Sequence, residues 1–490
     1  MKGSRYIILS LMMLAAACNP GKKIVQEETG NMPPIFPDYV DVTVPYNIAP
    51  LNFRVNDAGD KLFVTISAGS KKTEMAFRGG KAIFPIKAWE RIMKENRNDT
   101  IRITVSVLSG NHLKKYMPFS IFVSGIPIDG YLVYRKIMPG FQNWNQMGIY
   151  QRSLSSFSVE TLIDSKVLPG TCMNCHSFAS NDPSTMVFHL RESLPGTILL
   201  QNGKVRKLNT KTEKMFGAAA FPYWHPSKKY IAFSVNRVNQ VFHAAGNFRA
   251  AAVDMRSDVF VYDIDKNEML TSPALSASGK FESFPCFSPD GLKLYYCSAD
   301  SIQLPQKFSS IRYSLCSVSF DPATGKLGET ADTIISCHAI NRSISIPRIS
   351  PDGRFLMFCM ADYGCFPSYN PEADLYMLDL KTGKYEPLTA LNSDNVDSYH
   401  SWSSEGRWVA FTSRRGDGLY AKPYIGFIDE NGKACKPFLL PQKDPAFYDS
   451  YLFSYNVPEL VKGRVKLDPY EVEKLVRKTP GVQVESGSSH

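Results

Sequence analysis

From residue 38 to about 127 apolar and polar residues alternate in short runs, as in Val40-Asp41-Val42-Thr43-Val44 and Ile101-Arg102-Ile103-Thr104-Val105-Ser106-Val107. Period-two alternation is the pattern of half-buried strands, and it predicts a small β-sandwich over 38–127, interrupted by one helical stretch from Trp89 to Glu95. Further on, the pattern becomes an internal repeat. Phe221-Pro222-Tyr223-Trp224-His225-Pro226, Phe284-Pro285-Cys286-Phe287-Ser288-Pro289-Asp290-Gly291, Ile346-Pro347-Arg348-Ile349-Ser350-Pro351-Asp352-Gly353 and Tyr399-His400-Ser401-Trp402-Ser403-Ser404-Glu405-Gly406 overlay in register. Nine positions after His225, Ser288, Ser350 and Ser403 come Ser234, Cys297, Cys359 and Thr412, each directly preceded by an aromatic. Pro-Asp-Gly between apolar runs is turn chemistry, because proline presets φ and glycine accepts positive φ. Each unit therefore predicts a β-hairpin turning at 226–227, 289–290, 351–352 or 404–405.

More strands follow in each period, as in Ser257–Ile264 and Ala373–Leu380, and about four strands fit one repeat. A Ser-Pro-Asp-Gly hairpin followed by an Asp-Leu-Tyr strand resembles the TolB-like branch of β-propellers over roughly residues 185–455. Two degraded units are expected, one at Thr197–Leu200 with Val205–Leu208 and one at Gly130–Arg135 with Met147–Arg152. The resemblance implies an all-β chain: an immunoglobulin-like β-sandwich, then a six-bladed propeller, with seven blades as the alternative, over 128–460. The tail 461–490 carries Asp468-Pro469 before Tyr470–Lys478, where aspartate caps and proline opens a short helix.

The N-terminus assigns the compartment. Lys2 and Arg5 precede an apolar run from Ile7 to Ala17. Eleven residues rise only about 16 Å as a helix, too short to span a bilayer, so 1–17 is expected to be a cleaved secretory signal. Ala15-Ala16-Ala17-Cys18 resembles the lipobox of bacterial lipoproteins, which implies lipidation of Cys18 and a membrane anchor. Residues 18–37 then read as a tether. The chain is expected in the cell envelope, facing the periplasm or the exterior. A net charge of +10 is spread without an arginine-rich run, so surface solvation is the reading and nucleic acid is excluded as a partner. Hydrophobic residues at 44% supply a sizeable core.

Cys-x-x-Cys-His occurs at Cys172-Met173-Asn174-Cys175-His176, within an expected loop at 170–183. The motif resembles a c-type haem attachment site, in which two thiols add to the haem vinyl groups and the histidine ligates iron, and it predicts covalent haem c. Met186 and His189 are the candidate opposite ligands. A structural disulfide, a thioredoxin-like pair and zinc are the alternatives, although no βαβ pattern and no second pair of ligands accompany the motif. The remaining cysteines, Cys286, Cys297, Cys316, Cys337, Cys359, Cys365 and Cys435, read as buried thiols, with Cys359–Cys365 a possible bridge.

His225, His243, His338 and His400 fall in four repeats, and a propeller could gather them on one face around a divalent metal, as in some polysaccharide lyases. Against this, His225 holds the serine position of the repeat while His400 holds the preceding proline position. Arg348, Arg414 and Arg415 could add an anion-binding face. The leading expectation is a binding protein rather than an enzyme, whose propeller surface, including the channel residues His400, His225 and Arg348, meets a protein or glycan partner. Its haem would serve electron transfer or act as a staple. A metal-dependent carbohydrate-active enzyme is the alternative.

Overall fold

The computed structural model describes residues 24–56, 59–138, 146–242, 250–302 and 307–487. The signal segment, Cys18 and the start of the tether lie outside them, as does His243. Among the described residues no helix is long and apolar enough to cross a membrane.

The alternating runs near the N-terminus form a seven-stranded sheet. In its central strands, Lys61–Ala68 and Asp99–Ser109, Leu62, Val64, Ile66, Ile101, Ile103, Val105 and Val107 all point into the core. A three-stranded sheet of Ile35–Phe36, Phe53–Val55 and Lys81–Ala82 accompanies it, together with the helix Ile86–Glu95. That helix buries Trp89, Ile92 and Met93, whose i, i+3, i+4 spacing puts them on one face. Within the described part of the expected tether, 24–37, the chain is partly strand. Val25–Glu28 pairs with His112–Lys115 and Ile35–Phe36 pairs with Arg54 and Val55, because unpaired strand edges were available there.

The rest of the chain builds six sheets of four or five strands. Their first strands are β1 (Thr171–Phe178), β2 (Ala220–Trp224), β3 (Lys280–Phe287), β4 (Ser343–Ile349), β5 (Asp397–Trp402) and β6 (Ser454–Val461). Each of these touches the next, and β6 touches β1, so they ring a common axis in a propeller-like all-β fold. The ring is closed by the far end of the chain, since β6 pairs antiparallel with Tyr131–Ile137. All four predicted hairpins turn where expected. Ser350 shows the mechanism: its Oγ accepts the Phe355 amide at 3.0 Å and donates to Asp352 Oδ1 at 2.5 Å, while Gly353 takes φ +76°. Ser288 repeats these bonds with Lys293 and Asp290.

The N-terminal sheets share one hydrophobic core with the β5 sheet, through Trp408, Ile425, Phe438 and Leu439. The Trp408 indole also donates to Ile126 O at 3.1 Å. At the far end, Asp468 accepts from the Tyr470 amide at 2.9 Å and caps the helix Pro469–Lys478 as expected.

Candidate functional site at the mouth of the ring

Every first strand carries the same defect. In β1, Asn174 pairs with His189 and Ser177 with Val187, so Cys175-His176 oppose Phe188 alone. The same two-against-one bulge sets Phe221-Pro222 against Phe233, Phe284-Pro285 against Tyr296, Ile346-Pro347 against Phe358, Tyr399-His400 against Phe411 and Val457-Pro458 against Tyr134. The first residue of each pair has φ between +45° and +53°. Proline is tolerated at the second position because a bulged residue donates nothing to the ladder. The opposing residue is aromatic in all six sheets.

The expected loop at 170–183 is therefore strand for most of its length, followed by a short 3₁₀ turn at Ala179–Asn181. Cys175 and His176 are repeat residues, equivalent to Tyr399 and His400. The Cys175 thiol is buried and pushed up by that burial, with Arg191, Arg135 and the Phe221 backbone amide opposing. Phe221 and Phe284, at the equivalent position, lie 4.8 Å apart, and each is 5.7 Å from Phe366. Tyr399 borders a cavity on either side, so this tier of side chains forms the waist of the ring.

Above the waist opens a cavity of about 350 Å³. The residues just after the bulges line it, among them Ser177, Tyr223, Arg348, Ser401 and Glu459. Glu459 accepts from the Phe178 amide at 2.9 Å. Burial pushes its carboxyl up to about 8, against the opposing pull of that amide and of the Arg348 charge. Arg348 donates to Pro347 O at 2.8 Å and its guanidinium carbon sits 5.0 Å from the centre of the Tyr223 ring. The two groups face one cavity without forming an ion pair. A guanidinium and a protonated carboxyl are both donors, so together they suit an anionic oxygen.

His400 and His176 border the same cavity. His400 Nε2 lies 3.0 Å from Met357 O. Neither ring nitrogen of His176 makes a hydrogen bond of normal geometry, although the Val133 and Val457 backbones act on the ring and oppose the loss of its proton. Burial pushes each imidazole down to about 3, helped by Arg348 at His400 and by Arg135 at His176, so both are neutral.

A covalent haem needs both thiols and the histidine around one space. His176 borders the mouth cavity, but neither Cys172 nor Cys175 does, so the folded strand does not fit a macrocycle held by all three. The proposed opposite ligands stand elsewhere. Met186 is fully buried in the core with Met173, and His189 Nδ1 lies 2.8 Å from Thr197 Oγ1 beside a different cavity.

The three described histidines of the expected set do not converge. His225 is fixed between Ser227 Oγ at 2.7 Å and Gly291 O at 3.1 Å, and His338 is exposed beside Asp300. Among the described residues no three His, Cys, Asp or Glu are placed to hold a metal. Arg414 lies over Tyr369 at the opposite cavity and Arg415 is paired with Asp397 at 2.8 Å, so Arg348 alone of the three arginines faces the mouth. Cys359 and Cys365 are free. The thiol of the first donates to Asp397 O and that of the second approaches the Asp254 carboxylate, so the proposed bridge does not form.

Sequence reasoning missed Glu459. Val457-Pro458-Glu459 repeats Ile346-Pro347-Arg348, but no Ser-Pro-Asp-Gly turn follows it, because the hairpin partner of β6 lies more than 300 residues upstream.

No family model matches the sequence, and no curated protein does. Among solved structures the chain is similar at 11% identity to prolyl oligopeptidase B from Galerina marginata, over 79% of this chain and 53% of that one, with a TM-score of 0.34. It thus spans about half the length of that enzyme. An ACO/RPE65 chimera is matched at 11% identity over 89% and 97% of the two chains with a TM-score of 0.36. The periplasmic gluconolactonase of Pseudomonas aeruginosa is matched at 11% over 66% and 99%, with a TM-score of 0.34.

Proposed function

We propose that this chain is an exported, lipid-anchored envelope protein in which a six-bladed TolB-like propeller behind an immunoglobulin-like domain binds a carboxylate-bearing ligand at its mouth. One observation carries the binding role: Arg348 and the protonated Glu459 face the same cavity and are not spent on each other. A ligand carboxylate would accept from both. The neutral His176 and His400 add no competing charge, and Ser177 and Ser401 supply hydroxyls. The test is calorimetric titration with a panel of acidic tripeptides and dicarboxylates at pH 6.5 and pH 9. Binding should weaken at least tenfold at the higher pH as Glu459 ionises. Arg348→Gln should remove binding, and Glu459→Gln should keep it while abolishing the pH dependence. Saturable binding that neither substitution changes would place the site elsewhere.

A second reading, covalent haem on Cys172 and Cys175 with His176 as iron ligand, is favoured by the His176 ring, which borders the mouth cavity with neither nitrogen in a hydrogen bond of normal geometry. It requires β1 to part from its neighbours so that thiols and imidazole meet. Protein matured with a haem-attachment system and extracted with acid acetone tests it. Retained absorbance in the Soret region supports the reading, and colourless protein returns the motif to the repeat.

A further inference from the structure

Another cavity, of about 670 Å³, lies beside the outer part of the β6 sheet where the N-terminal sheets abut it. Its wall is a row of rings. Tyr134 and Tyr150 are stacked at 6.1 Å, Tyr455 is 4.5 Å from Tyr134, Tyr451 is 5.5 Å from Tyr455, and Phe447 is 4.6 Å from Tyr451. The local sequence explains the row, because strands 131–137 and 148–153 place Tyr134 and Tyr150 directly opposite one another.

Three lysines surround the rings. Lys81 is paired with Asp444 at 2.8 Å on the rim. Lys443 is exposed and Lys136 half-buried, and among the described residues neither forms an ion pair. The Lys136 ammonium lies 4.6 Å from the centres of both the Tyr150 and Phe453 rings. Burial pulls its affinity for the proton down, with Asp164 opposing and Lys166 reinforcing the shift. The Lys136 ammonium thus rests on ring faces, with the Asp164 carboxylate acting on it but not paired with it, and a cation so placed in an apolar cleft is incompletely compensated.

We propose that this cleft binds a small aromatic carboxylate, its ring stacked among Tyr150, Tyr134 and Tyr451 and its anionic group on the Lys136 ammonium. Size agrees, since cavities of roughly 300–1,000 Å³ take small molecules and are mostly apolar with a few placed polar groups. Ring–ring contact favours an aromatic body over an acyl chain, and the surplus positive charge favours an anion over a neutral ligand.

The probe is 2-naphthoate, titrated by fluorescence into the full mature protein, with 2-naphthamide, octanoate and glucuronate as competitors. Saturable naphthoate binding, at least tenfold tighter than any competitor and tenfold weakened by either Lys136→Met or Tyr451→Ala, is the expected result. Near-UV circular dichroism checks that the variants fold, and if Tyr451→Ala does not, Lys136→Met and the competitor ranking decide. Naphthoate that does not saturate at millimolar concentration, equal binding of octanoate, naphthamide or glucuronate, or indifference to Lys136→Met in folded protein each overturns the proposal.

Discussion

Glu459 shows how one side chain couples site and stability. A carboxyl lifted by burial to about 8 stays protonated in the folded chain at pH values where it ionises in the unfolded one. Asp254, lifted to about 7, and Glu282, lifted to about 8, behave alike, again through burial first. For such groups the folded state binds more protons, so their stabilisation is complete below the unfolded values near 4 and is lost as pH rises through 7 to 8. His176, His189 and His400 act in the opposite sense, because imidazoles held near 3 cost stability below pH 6.5 and nothing above it. The two sets oppose each other from about pH 4.5 to 6.5, and above that only the acids act. Urea unfolding should therefore give a lower midpoint at pH 8.0 than at pH 6.5, with each acid contributing on the order of 1 kcal/mol. The double variant Glu282→Gln with Glu459→Gln should flatten most of that slope. A midpoint that rises toward pH 8.0 would mean these carboxyls are already ionised in the folded protein.

At the scale of the strand, the unit of this fold is the bulge with its facing aromatic. A non-glycine residue in the left-handed region costs on the order of 1–3 kcal/mol, and Ile346 and Val457 are β-branched as well. Each stands opposite a buried ring on the facing strand, Phe358 or Tyr134. Phe358→Ala should cost about 3–5 kcal/mol in urea unfolding, against about 1–3 kcal/mol for Ser350→Ala, which strips the turn of its Phe355 amide partner. If both cost the same, the turn rather than the bulge sets the register. The four turns were legible in the sequence because Ser-Pro-Asp-Gly is local chemistry, and the facing aromatics because they keep a fixed offset of eight. Cys175-His176 spells a haem-attachment motif more plainly than its place in the repeat, and Phe188 and Tyr134 do not advertise the offset without the Ser-Pro-Asp-Gly anchor. The mouth cavity was only half legible: Arg348 and His400 stand in recognisable repeats, whereas Glu459 reaches the site through a pairing no local pattern announces.

For the whole molecule, the question is what keeps a ring of sheets shut. β6 comes from the far end of the chain and completes a sheet begun near residue 131, so opening the ring means losing the Tyr131–Ile137 pairing as a unit. The chain then continues past this closure. The helix Pro469–Lys478 buries Val472 and Val476 beside strands of the β6 and β1 sheets, and its C-terminal turn is held by Lys207 Nζ, which donates to Val476 O and Thr479 O. Val482–Gln483 adds in parallel to Lys204–Asn209 of the β1 sheet, and Glu485–Ser486 to Glu268–Leu270 of the β2 sheet. One tail thus clasps three consecutive sheets and covers two outer edges that would otherwise offer unpaired backbone groups. Ending the chain after Leu467 removes this clasp and keeps the closure. Burial of the two valines alone is worth about 3–6 kcal/mol, so the melting temperature should fall by several degrees with a single cooperative transition retained. Ending it after Phe453 removes β6 as well, which exposes an edge of the 131–137 strand and deletes Glu459 and Val457 from mouth and waist. That chain should show no cooperative melt by calorimetry and should aggregate. If it melts cooperatively instead, the five complete sheets and the three strands left of the sixth are stable without closure, and the bulge tier rather than the ring is what holds the fold together.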